Sequence, residues 1–466
     1  MSRQKMHFKI TDRVPWHLSV IFGLQHFLTM AGATLTIPTL VAGFVGMENI
    51  EDRARLISTV FLSAALTTLI QVSVGVRLPV VQGGSFSFIP PAMAIASSPM
   101  FEGASWRTKM LEINGAIMVA SAMQIILGGS GLLGLLLRFV GPITIGPTVA
   151  MVGLALFQVA AEKAGGNPWV AALVCFVIFA FSQSQWLGRI KVRIAGVGLS
   201  PFSLLPVLLA LLLTWFLCFI LTVSDALPQG DPARTDDGEK ARALASTPWI
   251  QLVWPFQWGI PTVSVASAIG MLGGVFAGMV ESVGDYFASA RLCDAPPPPP
   301  SAINRGILME GIGCLIEGAL GSGNGSTTYA ENNGAVALSK VASRRVIVVA
   351  SLWMIVLSLV GKVGGLLASI PDPVFGGMYL ALFGIITGVG ISQLQHVDLG
   401  SMRNVMIIGF SLLLGFVLPA FAKADAEGDR KMDTGNEAAT QVGGVRGGGT
   451  GKGQRKEGRG GLILDS

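Results

Sequence analysis

The chain has 466 residues, of which 51% are hydrophobic and only 13% charged, and it carries a net charge of +5. Soluble domains carry roughly a quarter charged residues, so an ordinary soluble globule is excluded. The charges are also clustered: none falls between Arg55 and Arg77, Glu112 and Arg138, Lys163 and Arg189, Arg193 and Asp225, or Arg403 and Lys423. Each gap approaches or exceeds the ~20 apolar residues that cross a bilayer, which predicts a polytopic protein embedded in lipid.

The amino terminus, MSRQKMHFKITDR, is basic and polar, and no small-residue cleavage site follows the first apolar run, so it does not read as a secretory signal. Thirteen membrane-entering segments are expected at about 15–45, 56–76, 80–98, 113–137, 139–160, 167–187, 200–224, 262–288, 305–321, 325–340, 346–367, 373–393 and 404–422. Arg3, Lys5, Lys9 and Arg13 precede the first; Arg189, Lys191 and Arg193 follow the sixth; Lys340, Arg344 and Arg345 follow the tenth. The positive-inside tendency then places the amino terminus in the cytoplasm. These loops orient the chain rather than bind nucleic acid. The loop from Asp225 to about Trp249 falls outside, and CDAPPPPPSAINR is a stiff cytoplasmic connection. Cys175, Cys218, Cys293 and Cys314 form no Cys-x-x-Cys pair, so neither a disulfide framework nor a metal site is expected.

Two segments are poor helices. VVQGGSFSFIPPAMAI (80–95) and GNGSTTYAENNGAVALSK (323–340) break with glycine and polar residues and then resume as short helices, about 245 residues apart. GLQHFLTMAGA near the start and GMVESVGDYFA near 281 recur at a similar offset, as do GPITIGPTVAMVGLALF (141–157) and PDPVFGGMYLALFGIITG (371–388). Interrupted segments at corresponding places in two halves point to a transporter built from inverted repeats. Non-helical backbone survives at membrane depth only inside protein or along a cavity, so each break is a place to bind a polar solute.

An intramembrane carboxylate is a functional candidate by default. Glu331 follows the second break; its alternative is a structural pair with Lys340. Glu281 and Asp285 are four apart and share a helix face; the alternative is a cytoplasmic helix end with Asp285 solvated. Gln25 and His26 lie in the otherwise charge-free first span, where a supporting role competes with a plain interhelical hydrogen bond. Phe86 adjoins the first break, as a ligand contact or as packing. Glu310 suits a structural or coupling role, and Glu317 is expected toward an interface or a pore edge. An intramembrane hydrolase using Glu281 and Glu331 would need a His-Glu-x-x-His motif or a nucleophile–base pair, and the sequence offers neither, so no enzyme is expected.

These residues resemble the nucleobase–ascorbate transporter family, also called nucleobase/cation symporter-2, and its animal, sodium-dependent branch in particular. The family signature runs Gln, Glu or Pro, then Asn-x-Gly, four residues, Thr, and a basic residue or glycine. Here it reads Glu331-Asn332-Asn333-Gly334, four residues, Ser339-Lys340, with serine keeping the hydroxyl. Gln25-His26 match the family's first-segment pair, Gly84-Ser85-Phe86 its third-segment break, and Glu281 its eighth-segment glutamate, with Asp285 one turn on. The match covers about residues 15–422.

The resemblance implies an all-α polytopic fold of two inverted seven-segment repeats, with short strands in the third and tenth segments. A core part would take residues 15–138 and 261–370, and a gate part 139–224 and 371–422, around a cytoplasmic start at 1–14 and an extracellular loop at 225–260. It implies a homodimer in the plasma membrane that moves its core against its gate in an elevator-like step. Substrate would lie on Glu281, Glu331, Phe86, Asn332, Gly334 and Ser85, supported by Gln25, His26, Asp285 and Glu310, with sodium as the coupling ion and no other cofactor. Nucleobases are the expected substrate, because ascorbate carriers of this family have proline where Glu331 stands; ascorbate is the alternative. Residues 423–466 are polar and glycine-rich where the family has a fourteenth segment, so a disordered tail and a transport-inactive isoform are further expectations.

Overall fold

A computed structural model describes residues 6–136, 141–194, 197–418 and 420–421. The chain falls into two units, Met1–Leu412 and Leu413–Ser466. The first holds everything described below except the end of the last helix; the tail expected to be disordered lies outside the described residues.

The first helix, α1 (Trp16–Val45), is 30 residues long and ends on Gly46 in the left-handed conformation (φ 82°). At ~1.5 Å per residue it is longer than the ~30 Å of a bilayer's hydrocarbon. Helix α2 (Ile50–Ser73) starts on Asn49, whose side chain accepts the Glu51 amide, with Glu51 and Asp52 in the first turn. The expected start near 56 is therefore late: the charges read as a loop are the polar opening turn, where acids favour the helix dipole. The same error shortens α4 (Trp106–Ser130), which Ser105 caps well before the expected 113.

Between them lie strand β1 (Gln82–Gly84) and the half-length helix α3 (Ile89–Ala96). There follow α5 (Pro142–Ala155), α6 (Phe157–Gly165), α7 (Pro168–Gln183), a hairpin of β2 (Val192–Ile194) and β3 (Val197–Leu199), and α8 (Pro206–Val223). Then the order long helix, long helix, strand, short helix recurs, with α9 (Val265–Leu292), α10 (Pro300–Leu320), β4 (Ser326–Thr328) and α11 (Ala330–Ser339). Helices α12 (Arg344–Leu359), α13 (Gly361–Ala368) and α14 (Asp372–Gln393) follow, and a last apolar helix runs Met402–Leu418.

The segment expected at 346–367 is thus two helices. The break at Val360 is taken up by the incoming loop: Gln251 N donates to Leu359 O (2.8 Å) and Gly361 N to Trp249 O (3.1 Å). The span expected at 139–160 likewise divides at Leu156 into α5 and α6.

The two sequence breaks meet. Strands β1 and β4 pair antiparallel, with Gln82 opposite Thr328, Gly83 opposite Thr327 and Gly84 opposite Ser326. The ladder extends by Tyr329 N to Val81 O and Ser85 N to Gly325 O, both 2.9 Å. All three residues of each strand are buried, so pairing satisfies amides that hydrocarbon could not. Glycine is required at Gly83, where a Cβ would come 2.7 Å from the Tyr329 ring, and at Gly321 and Gly323, which turn the chain with φ 85° and 68°.

Candidate functional site

The site grows outward from this strand pair. Helix α9 is started by Ser264, whose hydroxyl accepts the Ser267 amide (3.1 Å). The buried Glu112 of α4 accepts the Ser264 amide (2.6 Å) and the Thr262 hydroxyl (2.9 Å). A carboxylate is favourable at this end of a helix. Small residues then let α9 lie directly on the breaks: a Cβ on Gly274 would be 2.9 Å from Ser87 O, and one on Gly278 2.8 Å from Thr327 Cγ2.

This packing brings Glu281 to the first break, where the Ser85 hydroxyl donates to Glu281 Oε2 (3.4 Å). Ser85 also caps the turn Phe86–Phe88 by accepting the Ser87 amide. One helical turn beyond Glu281, Asp285 Oδ1 accepts from Asn333 Nδ2 (3.2 Å), so α11 docks on α9. Because α9 runs to Leu292, Asp285 lies inside a helix rather than at a solvated end.

Helix α11 docks on α1 as well. Asn332 Nδ2 donates to His26 O (2.9 Å) and lies 3.2 Å from His26 Nδ1, which accepts in the tautomer that leaves it bare. Gln25 is buried, and both polar atoms of its side chain lack a partner among the described residues. Asn332 Oδ1 and Asn333 Oδ1 are unpartnered too. Orphaned buried amides are costly, so each marks a bond left for something else.

The other face of α11 is open. Glu331 and Gly334 are exposed, a Cβ on Gly334 would meet nothing within 4 Å, and Leu338 is 51% exposed. These positions, three and four apart, form one exposed stripe along α11. The charges of Glu281, Asp285 and Glu331 are within range of one another. Among the described residues none of the three forms an ion pair, so the alternative pairing of Glu331 with Lys340 is not seen. No group of three or more His, Cys, Asp or Glu is arranged to hold a metal among the described residues.

Phe86 is half-buried and meets Phe383 of α14 edge to face, 5.8 Å between centroids. Phe383 stacks on Tyr379 (5.6 Å), which leans on Phe375 (6.2 Å). Sequence reasoning passed over this column, although its i, i+4, i+8 spacing was readable. It also passed over Tyr329, whose hydroxyl donates to Gly84 O (2.9 Å) and accepts from Thr34 (3.2 Å).

Glu310 and Glu317 lie elsewhere, behind the strands. Glu310 is 1% exposed and accepts from Gln124 Nε2 (2.8 Å) and Tyr286 (3.3 Å). Glu317, expected at an interface or pore edge, is 2% exposed in the packed interior, and its Oε2 has no hydrogen-bond partner among the described residues.

Residues 17–423 match the permease family. The chain belongs to that family. Within the permeases it stands with the nucleobase–ascorbate transporter group and its animal members. It is 42% identical over 450 residues to solute carrier family 23 member 2 of Rattus norvegicus, covering 90% of this chain and 69% of that protein. It is 41% identical over 448 residues to member 1 from the same animal, covering 89% and 74%. It is 37% identical over 426 residues to nucleobase-ascorbate transporter 1 of Arabidopsis thaliana, covering 90% and 81%. This permease is therefore a multi-pass membrane transporter. Its fold is similar to the transmembrane domain of the cyanobacterial bicarbonate transporter BicA, with TM-score 0.57, 14% identity and coverage of 89% and 99%. It is similar to SLC26A9 with TM-score 0.58, 13% identity and coverage of 89% and 66%.

Proposed function

We propose that this permease is a cation-coupled symporter that carries nucleobases such as uracil or purines, with sodium as the second substrate. The observation that carries the reading is the trio Glu281, Asp285 and Glu331, gathered at the two strand breaks within range of one another's charge and without an ion pair among the described residues. Carboxylates accept N–H donors, and the Ser85 hydroxyl and the donor groups of the unpartnered Gln25 amide can serve ring carbonyls. Three acids together repel an anion in a low-dielectric cavity, which disfavours ascorbate and favours a co-bound cation.

Glu281, Ser85, Phe86, Glu331, Asn332 and Gly334 hold the ring in this reading, while Gln25, His26, Asp285 and Glu310 support or couple. The segments form two inverted repeats. Residues 15–138 and 261–370 make the core and 139–224 and 371–422 the gate. The amino terminus is cytoplasmic, and the protein works as a homodimer in the plasma membrane. The core moves against the gate, and the exposed stripe of Glu331, Gly334 and Leu338 lines the path to the cytoplasm.

Uptake of radiolabelled uracil, xanthine and ascorbate, each with sodium and with choline in its place, tests this. Sodium-dependent uracil or xanthine uptake is expected. Saturable ascorbate uptake that excess nucleobase leaves untouched would overturn the substrate, and no uptake of any of the three would favour the transport-inactive isoform.

A further inference from the structure

A cavity lies at the end of the bundle where α1 finishes and α2 begins. Its walls include Thr39 of α1, Arg53 and Ile57 of α2, Ile370, and Asp372 and Phe375 of α14; the room inside for a solute is about 10 Å³, enough for one water, and the 290 Å³ of empty space around it is mostly the open mouth. The Arg53 Nε donates to Met47 O (2.6 Å), and its terminal nitrogens hold no hydrogen bond among the described residues. On the facing wall, Asp372 already accepts from Lys163 Nζ (2.8 Å). Its charge is thereby matched, and Arg53 leaves the cavity net positive.

The cavity is aligned with the central carboxylates. Phe375 lines it, and the ring column Phe375, Tyr379, Phe383 then runs down α14 to Phe86. Phe86 adjoins Ser85, which bonds Glu281. A chain of buried ring contacts, the last of them edge to face, therefore links the wall of the Arg53 cavity to Phe86 beside the central acceptors. With the amino terminus cytoplasmic, the cavity is on the extracellular side.

We propose that this cavity is an outer binding site, narrowed in this conformation, where the transported heterocycle first docks by its carbonyl oxygens on Arg53. The inference rests on the transport reading above. A guanidinium presents a planar fork of donors suited to oxygen acceptors, while the central site presents acceptors suited to N–H donors. A cyclic amide or ureide carries both groups and is complementary to each end in turn. An enolate anion shares the oxygen chemistry of the first end alone.

The test labels two single cysteines, Thr39→Cys in the outer cavity and Leu338→Cys on the exposed stripe of α11, in the full chain in sealed vesicles of either orientation. A membrane-impermeant methanethiosulfonate is applied with uracil, ascorbate or chloride as competitor, and modification is scored at the introduced residue by mass spectrometry. Uracil is expected to slow labelling at both positions. Arg53→Gln is expected to remove protection of Thr39→Cys by about ten-fold or more, the worth of one charge-assisted pair, while protection of Leu338→Cys persists and shows the fold intact. Arg53→Lys, which keeps the charge and loses the fork, should fall between. Protection of Thr39→Cys that is equal with and without Arg53, or equalled by chloride, overturns the outer site. Protection at Leu338→Cys but never at Thr39→Cys overturns it while leaving the transport reading standing. Protection at Thr39→Cys by ascorbate alone upholds the oxygen-docking site and overturns the nucleobase reading.

Discussion

Glu281→Gln is the sharpest probe of the central site, because it removes a charge and keeps the size. Among the described residues the Glu281 carboxylate accepts one hydrogen bond, from Ser85 at 3.4 Å, which leaves most of its acceptor capacity to a ligand. A hydrogen bond to a charged group contributes about 1.5–3 kcal/mol. At about 1.4 kcal/mol per ten-fold, losing one raises KM for uracil by roughly 10- to 150-fold. The glutamine oxygen can still accept one N–H, so a ligand using a single acceptor falls at the low end. A ligand using both oxygens meets an amide donor head-on and falls at the high end or is not carried. Radiolabelled uptake normalised to surface expression, with Glu331→Gln and the double variant alongside, reads the effect. Two carboxylates acting on one ring should give a combined loss that is not the sum of the single ones. Unchanged KM and maximal rate in Glu281→Gln would remove this residue from the site and with it the acceptor-matching argument.

Gly278→Ala should lower the stability of the purified transporter by about 1–3 kcal/mol, because its methyl would stand 2.8 Å from Thr327 Cγ2; an unshifted thermal unfolding curve would mean that α9 does not press on the strands. Asn332→Asp replaces the donor to His26 O (2.9 Å) with an acceptor, at about 1–3 kcal/mol for the two acceptors left facing each other, and should release α11 from α1; hydrogen exchange in 330–339 no faster than in the parent would refute this. In the loop after α8, Arg234 donates to both carboxylate oxygens of Asp236 (2.9 and 2.6 Å) and to Asp225 (2.9 Å). The Arg234 hydrogen bonds hold the Asp236 carboxyl below its ordinary pKa of 3.8. A depressed carboxylate contributes stability above its unfolded pKa and loses it as pH falls through the folded one. Proteolysis of this loop should therefore be flat above about pH 5 and rise in stronger acid, and Asp236→Asn should be cut at neutral pH as readily as the parent is in acid.

The parts of the fold that were legible are those whose cause is local. Glycine and polar residues interrupting an apolar run announced both breaks, and a charge inside such a run announced Glu281 and Glu331. That the two breaks pair with each other was implied by resemblance and by their recurrence, since no local signal says which strand a strand meets. The helix starts at Ile50 and Trp106 were misplaced for a related reason. A charged turn is equally at home in a loop and at a capped helix end, and only the cap geometry separates the two. Glu317 illustrates the limit most clearly. Its distance of seven from Glu310 places both on one face of α10, which the sequence does reveal. What that face looks at is set by α2, α4 and the strands, and these lie as much as 254 residues away along the chain, at Ser63. A carboxylate in an apolar helix is compatible with a pore edge or with a packed interior, and only neighbours from other segments, such as Gln124 and Tyr286 around Glu310, decide between them. The same reasoning explains Phe383: its spacing from Tyr379 marks an aromatic stripe, but an aromatic stripe in a membrane helix ordinarily faces lipid or a neighbour. Only the position of Phe86 opposite it shows that this stripe faces the first break.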